Sequence, residues 1–299
     1  MKPRTLHTFV FSPTGTSQKI AAAIVRGIAD SRSENGAVRF GKPNGSNKPD
    51  GFSTGQVEPL DLTHAPAPAQ TLPADAVTVF AVPVYGGHPA PTALERLRDV
   101  RGEGTPAVVV AVYGNRAFEG AVRELAAFVA ERGFVPVAAA AFVGEHSYST
   151  SATPIAAGRP DAADLAEAEA FGEAVGRKLA SGTPAPVDAA RLKEPRTPFL
   201  SRLRFIRFVL DYRRRQKRNP VVLLPSGDAE RCTRCGRCVR VCPTQAIAPG
   251  DELRTDPARC IRCNACVKAC PTGSRTYPTP FAAALSRCFA RRKPPVTLL

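Results

Sequence analysis

Nine cysteines are the first residues to explain, because all of them fall between Cys232 and Cys288 and the preceding 231 residues hold none. Eight belong to an internal repeat. RCTRCGRCVRVCPTQAI begins at Arg231 and RCIRCNACVKACPTGSR at Arg259, 28 residues later, and the two agree at nine of seventeen positions. Both obey C-x2-C-x2-C-x3-C-P, the spacing of a run that ligates [4Fe–4S] cubanes. A cubane offers four irons at the corners of a tetrahedron. A short C-x2-C-x2-C loop can wrap three of them, and the fourth corner faces away, toward a more distant cysteine. Zinc sites prefer separated C-x2-C pairs, so two such runs point to iron and sulfide. Thiols clustered in this way also point to metal ligation in a reducing compartment rather than to disulfides. Pro243 and Pro271 end each run with a residue that has no N–H and a fixed φ. Cys288 has no counterpart in the repeat and reads as an ordinary thiol.

A second constellation could hold an anion. HTFVFSPTGTSQKIAAAIVRGI (7–28) reads as strand, sharp turn, helix, and its turn, Ser12-Pro13-Thr14-Gly15-Thr16-Ser17, is nearly all hydroxyls and glycine. It has neither the lysine of a triphosphate loop nor the glycine pattern of a dinucleotide turn. Helix N-terminal N–H groups, with the hydroxyls of Ser12, Thr14, Thr16 and Ser17, suit a terminal phosphate monoester such as that of FMN. Gly15 permits close backbone approach. Two later strand ends, PVYGGHP (83–89) and VYGNR (112–116), each join a tyrosine to glycine. Tyr85, Gly86 and Gly87, with Tyr113, Gly114 and Asn115, would supply a stacking surface and open amides for a flat isoalloxazine. Either tyrosine, Tyr85 or Tyr113, would be the stacking ring. FVGEHSYST (142–150) sets Glu145 and His146 on the same rim, as a proton donor or, more plainly, as part of a hydrogen-bonded loop.

The elements that must position these residues alternate. Strand patterns lie at 6–11, 57–62, 77–84, 107–113 and 135–143, and helix patterns at 17–29, 91–100, 118–132 and 162–179. Continuous apolar strands such as Val108-Val109-Val110-Ala111-Val112 are those of a sheet covered on both faces. The order predicts an α/β fold, a flavodoxin-like five-stranded parallel sheet of order 2-1-3-4-5, with ligands at the carboxyl ends of the strands. A small α+β ferredoxin-like two-cluster domain follows. The boundaries expected are 1–181 for the first domain, 182–220 for a proline-rich linker and basic helix, 221–278 for the cluster domain and 279–299 for a tail or a strap. Residues 31–55 and 64–74 read as loops.

Charge is uneven. The net is +15, and residues 191–220 alone contribute eleven basic residues against two acids. No nucleic-acid motif accompanies them, and the cluster thiolates offset part of the excess, so no nucleic-acid partner is expected. Within FLSRLRFIRFVLDYRRRQKR (199–218), Phe199, Leu203, Ile206 and Leu210 share one helical face. The plain reading is an interdomain helix whose apolar stripe packs on one domain. The alternatives are a membrane-surface helix and a docking patch for an acidic redox protein partner. No stretch is long and apolar enough to span a bilayer, and the three-residue run Phe9-Val10-Phe11 is a buried strand, not a signal-peptide core. The expected location is cytoplasmic.

With those residues in view, 1–181 resemble a flavodoxin, Ser12-x-Thr14-Gly15-x-Ser17 standing for the usual T-x-T-G-x-T. Residues 228–276 resemble a two-[4Fe–4S] ferredoxin. The order resembles flavodoxin–ferredoxin fusion proteins of anaerobic bacteria and archaea, and leaves only the basic helix and the tail outside. The resemblance implies FMN and two clusters with crossed ligands: Cys232, Cys235, Cys238 and Cys270 for one, Cys260, Cys263, Cys266 and Cys242 for the other. The second run departs from the pattern in ending Gly273-Ser274-Arg275, where ferredoxins usually continue with Ala-Ile. The expected function is electron transfer between FMN and the clusters and on to a protein partner. Its rivals are a flavin-dependent reductase of a small substrate, fed by the clusters, and a ferredoxin whose α/β domain serves only for docking.

Overall fold

The computed structural model describes residues 5–31, 59–182 and 184–299. The glycine-, asparagine- and lysine-rich stretch expected as a loop at 31–55 lies outside them from residue 32 on, as do the first two residues of the strand expected at 57–62. The elements in chain order are β1 (Thr5–Val10), α1 (Thr16–Asp30), β2 (Pro59–Asp61), β3 (Gln70–Leu72), β4 (Ala76–Tyr85), β5 (His88–Pro89), α2 (Pro91–Arg96), β6 (Val100–Gly102), β7 (Thr105–Tyr113), α3 (Ala121–Ala130), β8 (Phe134–Val143), α4 (Ala162–Ala180), α5 (Phe199–Arg218), β9 (Ser226–Gly227), α6 (Arg237–Arg240), α7 (Ala265–Lys268), β10 (Arg275–Thr276), α8 (Pro280–Cys288) and β11 (Val296–Leu298).

The main sheet runs β11-β8-β7-β4-β1-β2. Every pair from β8 to β2 is parallel, so the five expected strands take the expected flavodoxin-like order. Alternation along each strand divides the apolar side chains between two cores. Phe9, Phe80, Val109, Ala111 and Ala139 face the layer with α3. Val10, Val79, Val108, Val110 and Phe142 face the layer of α1 and α4. Those two helices touch at glycine: a Cβ on Gly27 would stand 2.0 Å from the Glu169 carbonyl oxygen, and one on Gly172 2.1 Å from that of Ile24.

Four features differ from the reading of the sequence. The segment read as a tail or a strap is tied into the sheet itself: α8 and β11 are formed, and β11 joins β8 antiparallel, Thr297 opposite Ala140, as a sixth strand of the main path. The helix expected to reach Val100 stops at Arg96, because 100–102 pairs with 70–72, inside the expected 64–74 loop, as a separate two-stranded parallel ladder. Gly86 and Gly87, both at positive φ, close a two-residue hairpin between β4 and β5, a short antiparallel strand absent from the expected elements. Lastly, α5 packs through a face other than the predicted one. Phe205, Phe208 and Tyr212 lie on Phe281 and Phe289 of and beside α8, whereas Phe199, Leu203, Ile206 and Leu210 are exposed. Among the described residues no helix is long and apolar enough to cross a membrane.

Candidate functional site

One cavity of about 720 Å³ opens at the carboxyl ends of β1, β4, β7 and β8. Its first wall is the hydroxyl loop: Ser12, Thr14, Thr16 and Ser17 all line it. Gly15 makes this loop at φ 81, and a Cβ there would meet nothing within 4 Å, so the backbone stands open. As the N-cap of α1 it has no side chain to offer the first turn; Ser12 Oγ accepts one N–H, that of Gln18, at 3.1 Å. The Ser17 hydroxyl is buried and has no partner. A buried hydroxyl without an acceptor, beside free helix N–H groups, is a place for an anion. The residues therefore fit a phosphate monoester.

Tyr85, Gly86, Tyr113 and Gly114 form a second wall. Two expected neighbours are elsewhere. Asn115, expected at the flavin, donates from Nδ2 to the carbonyls of Phe289 and Arg291 at 2.7 and 2.9 Å, so its amide anchors the tail. Gly87, also expected there, turns toward Glu119, whose Oε2 lies 2.0 Å from where its Cβ would be. Gly114 is small for a reason: a Cβ on it would fall 2.3 Å from His146 Cδ2. That imidazole receives the Tyr148 N–H on Nδ1 at 3.1 Å. Burial, helped by Arg116 and Lys268, lowers its pKa to about 4. It is thus neutral at pH 7, with the proton on Nε2. Glu145 is not a proton donor here. Burial raises its pKa, but hydrogen bonds from Lys268 Nζ at 2.6 Å and Gly158 N–H at 3.0 Å more than offset that and hold it ionised. It serves as a clamp to α7.

The third wall belongs to the cysteine segment. Ile261, Arg262 and Cys263 line the same cavity as Ser17 and Tyr85. Tyr85 has its hydroxyl pKa raised by burial and then by the Cys263 charge. Asn264 Nδ2 donates to the Ser147 carbonyl at 3.3 Å, and Arg96 donates to that of Pro243 at 2.5 Å.

Within the segment, the sequence repeat is a repeat of backbone conformation. Arg234 and Arg262, Gly236 and Asn264, and Gln245 and Gly273 all take positive φ at equivalent places. Each run thus curls its amides inward over its sulfurs: Ala246 N–H reaches Cys242 Sγ at 3.2 Å and Arg275 N–H reaches Cys270 Sγ at 3.4 Å. Burial raises the Cys263 thiol to about 12, and Cys266, Cys242 and Cys260 all add to it. Cys242 likewise acts on Cys260 and Cys266. The last cysteine of the first run therefore stands among the first three of the second. Among the described residues no three His, Cys, Asp or Glu close on a point as around a single metal ion; a cubane spreads its ligands more widely. These residues fit [4Fe–4S] cages. Cys288 sits apart, packed with Ile155, Leu285 and Phe289.

Arg275 was missed as a site residue, although the repeat sets it where the first run has Ile247. It is 2% exposed, donates to the carbonyls of Glu252 and Pro225 and to Thr255, and leaves its Nε without a partner of the N/O kind. Burial raises the thiol pKa of Cys238, Cys260 and Cys266, and the Arg275 charge opposes that rise at each of them, with a side-chain hydrogen bond to the last. A buried guanidinium between both ligand sets favours the more negative, reduced state of a cluster. Arg275→Met should lower a cluster potential by about 60–120 mV, the equivalent of one charge-assisted hydrogen bond. An EPR-monitored redox titration reads this directly, and unchanged potentials would dismiss the role.

The fold and these sites define a class: a flavodoxin-like domain joined to a dicluster iron–sulfur segment. Residues 231–274 match the family model of the 4Fe-4S dicluster domain, which gives the chain a redox role and two [4Fe–4S] clusters. No curated protein matches the sequence. Among solved structures, the Flv1 flavodiiron core of Synechocystis sp. PCC6803 is 14% identical with a TM-score of 0.37, covering 60% of this chain and 37% of its own. A flavodoxin from the domain Archaea is 12% identical with a TM-score of 0.33, covering 59% of this chain and 99% of its own. An oxidoreductase of Corynebacterium diphtheriae is 16% identical with a TM-score of 0.35, covering 60% and 97%. This chain thus spans little more than a third of the flavodiiron core. The flavodoxin-like assignment rests on strand order and not on these distant similarities.

Proposed function

We propose that the protein is a cytoplasmic electron carrier that passes electrons between an FMN held in the cavity and two [4Fe–4S] clusters, and on to a redox protein partner. The observation that carries this reading is that Cys263 lines the same cavity as the hydroxyl loop and Tyr85. FMN, when bound, exchanges one or two electrons and each cluster exchanges one. Ser12, Thr14, Thr16 and Ser17 hold the phosphate, and the half-buried Tyr85 offers a ring to the flavin plane. The neutral His146 presents Nε2–H as a fixed donor whose charge does not change between pH 5 and 8. Cys260, Cys263, Cys266 and Cys242 ligate the cluster nearer the flavin. Cys232, Cys235, Cys238 and Cys270 ligate the other, and Cys235 is exposed, as an exit toward a partner requires.

The cavity also extends past these loops to Phe205, Val209 and Tyr212 of α5. That extra room favours a second reading, a flavin-dependent reductase of a small substrate fed by the clusters.

Anaerobic purification followed by iron, sulfide and flavin analysis tests the assignment. About eight irons, eight acid-labile sulfides and one FMN per chain are expected. Zinc in place of iron would refute the clusters, and a chain with clusters that takes up no flavin would leave a docking ferredoxin.

A further inference from the structure

Helix α5 has two faces of unlike kind. The inner one lays Phe205, Phe208 and Tyr212 on α8 and gives Val209, Tyr212 and Gln216 to the cavity wall. The outer one carries Phe199, Leu200, Leu203, Ile206 and Leu210, each 44–74% exposed. Val221 and Val222, just past the helix end, are exposed too, and Val221 lines the cavity. Of the large apolar side chains exposed among the described residues, all but Leu299 lie in this one stretch. At about 100° and about 1.5 Å per residue, Phe199, Leu203, Ile206 and Leu210 form a stripe roughly 60° wide and about 17 Å of helix long. Exposed Arg202 and Arg213 border one side and exposed Arg207 and Arg214 the other. The helix holds eight basic residues and a single acid, Asp211, which is itself 3.5 Å from Arg214.

We propose that this face lies on an anionic lipid surface, the stripe sunk to the acyl boundary and the arginines at the headgroup phosphates. A second copy of the chain would set the two basic borders against each other. An acidic protein would answer the charges, but the stripe is convex, without a groove or a polar group inside it to define a docked pose. A bilayer asks for neither, and long arginines flanking a narrow apolar strip satisfy both of its layers at once. Docked in this way, α5 would hold the bilayer on one side and the cavity on the other.

The test is co-sedimentation of the full chain, clusters in place, with vesicles of phosphatidylcholine alone or with added phosphatidylglycerol. Binding to the anionic vesicles should exceed binding to the neutral ones by at least tenfold and fall as salt rises. The triple variant Leu203→Gln, Ile206→Gln, Leu210→Gln keeps every charge and should lower anionic binding by at least about tenfold, from the lost apolar burial. These side chains are exposed, so cluster absorbance and helix content should be unchanged, and both are measured alongside. Equal binding by the variant would reduce the contact to charge and overturn the proposal. So would absence of vesicle binding, whether the stripe then drives self-association in sedimentation or captures a purified acidic redox protein instead.

Discussion

Alanine at Cys242 should cost the protein the cluster wrapped by Cys260, Cys263 and Cys266 and spare the one wrapped by Cys232, Cys235 and Cys238. Linear sequence argues the opposite, since Cys242 is four residues from Cys238 and eighteen from Cys260. The folded segment brings its thiol within electrostatic reach of Cys260, Cys263 and Cys266. Iron should fall from about eight to about four per chain. Alkylation under anaerobic conditions, followed by peptide mapping, then reports which thiols became free. Labelling at Cys260, Cys263 and Cys266 is the expected pattern, and labelling at Cys232, Cys235 and Cys238 would show uncrossed ligation.

The second large effect should appear in flavin binding. Thr14→Ala with Ser17→Ala removes two hydroxyl donors at the start of α1, one of them the buried and partnerless Ser17. A hydrogen bond to a charged acceptor is worth about 1.5–3 kcal/mol. At about 1.4 kcal/mol per decade, FMN should bind about two to four orders of magnitude more weakly. Riboflavin lacks the phosphate and should bind the wild type and the variant alike. Titration of both flavins into deflavinated protein separates the cases. Equal weakening of both would move the phosphate elsewhere or reveal a damaged domain.

What could be read from the chain before its structure depended on how local each signal is. The five parallel strands announce themselves as apolar runs because helices cover both faces, and the cysteine runs announce themselves because a cubane demands short spacings. Asn115 could not be placed that way. It looks like a loop residue at a strand end, and its partner, the Phe289 carbonyl, is 174 residues away. β11 is three residues whose state is decided by the free edge of β8 rather than by their own propensity. On α5 two apolar faces compete at helical spacing, so periodicity identified a helix without choosing the packed side. Arg275 was legible as a departure from the repeat, but its role needed the burial that only the fold supplies.

The return of β11 to the sheet changes what kind of object the cluster segment is. With β1, β2, β4, β7 and β8 before it and β11 after it all in one sheet, the intervening stretch is spliced into the α/β domain like a long excursion between two of its strands. Asn115 and the ion pair of Arg292 with Asp161, Nη1 to Oδ2 at 2.5 Å, rivet the returning chain beside it. A ferredoxin unit on a one-ended tether meets its flavin by diffusion, at a local concentration governed by linker length. A unit moored at both ends has no such encounter to wait for. On the proposed reading, exchange between FMN and the clusters is then set by a fixed separation, so it should be indifferent to solvent viscosity, to dilution and to any lengthening of the 182–198 linker.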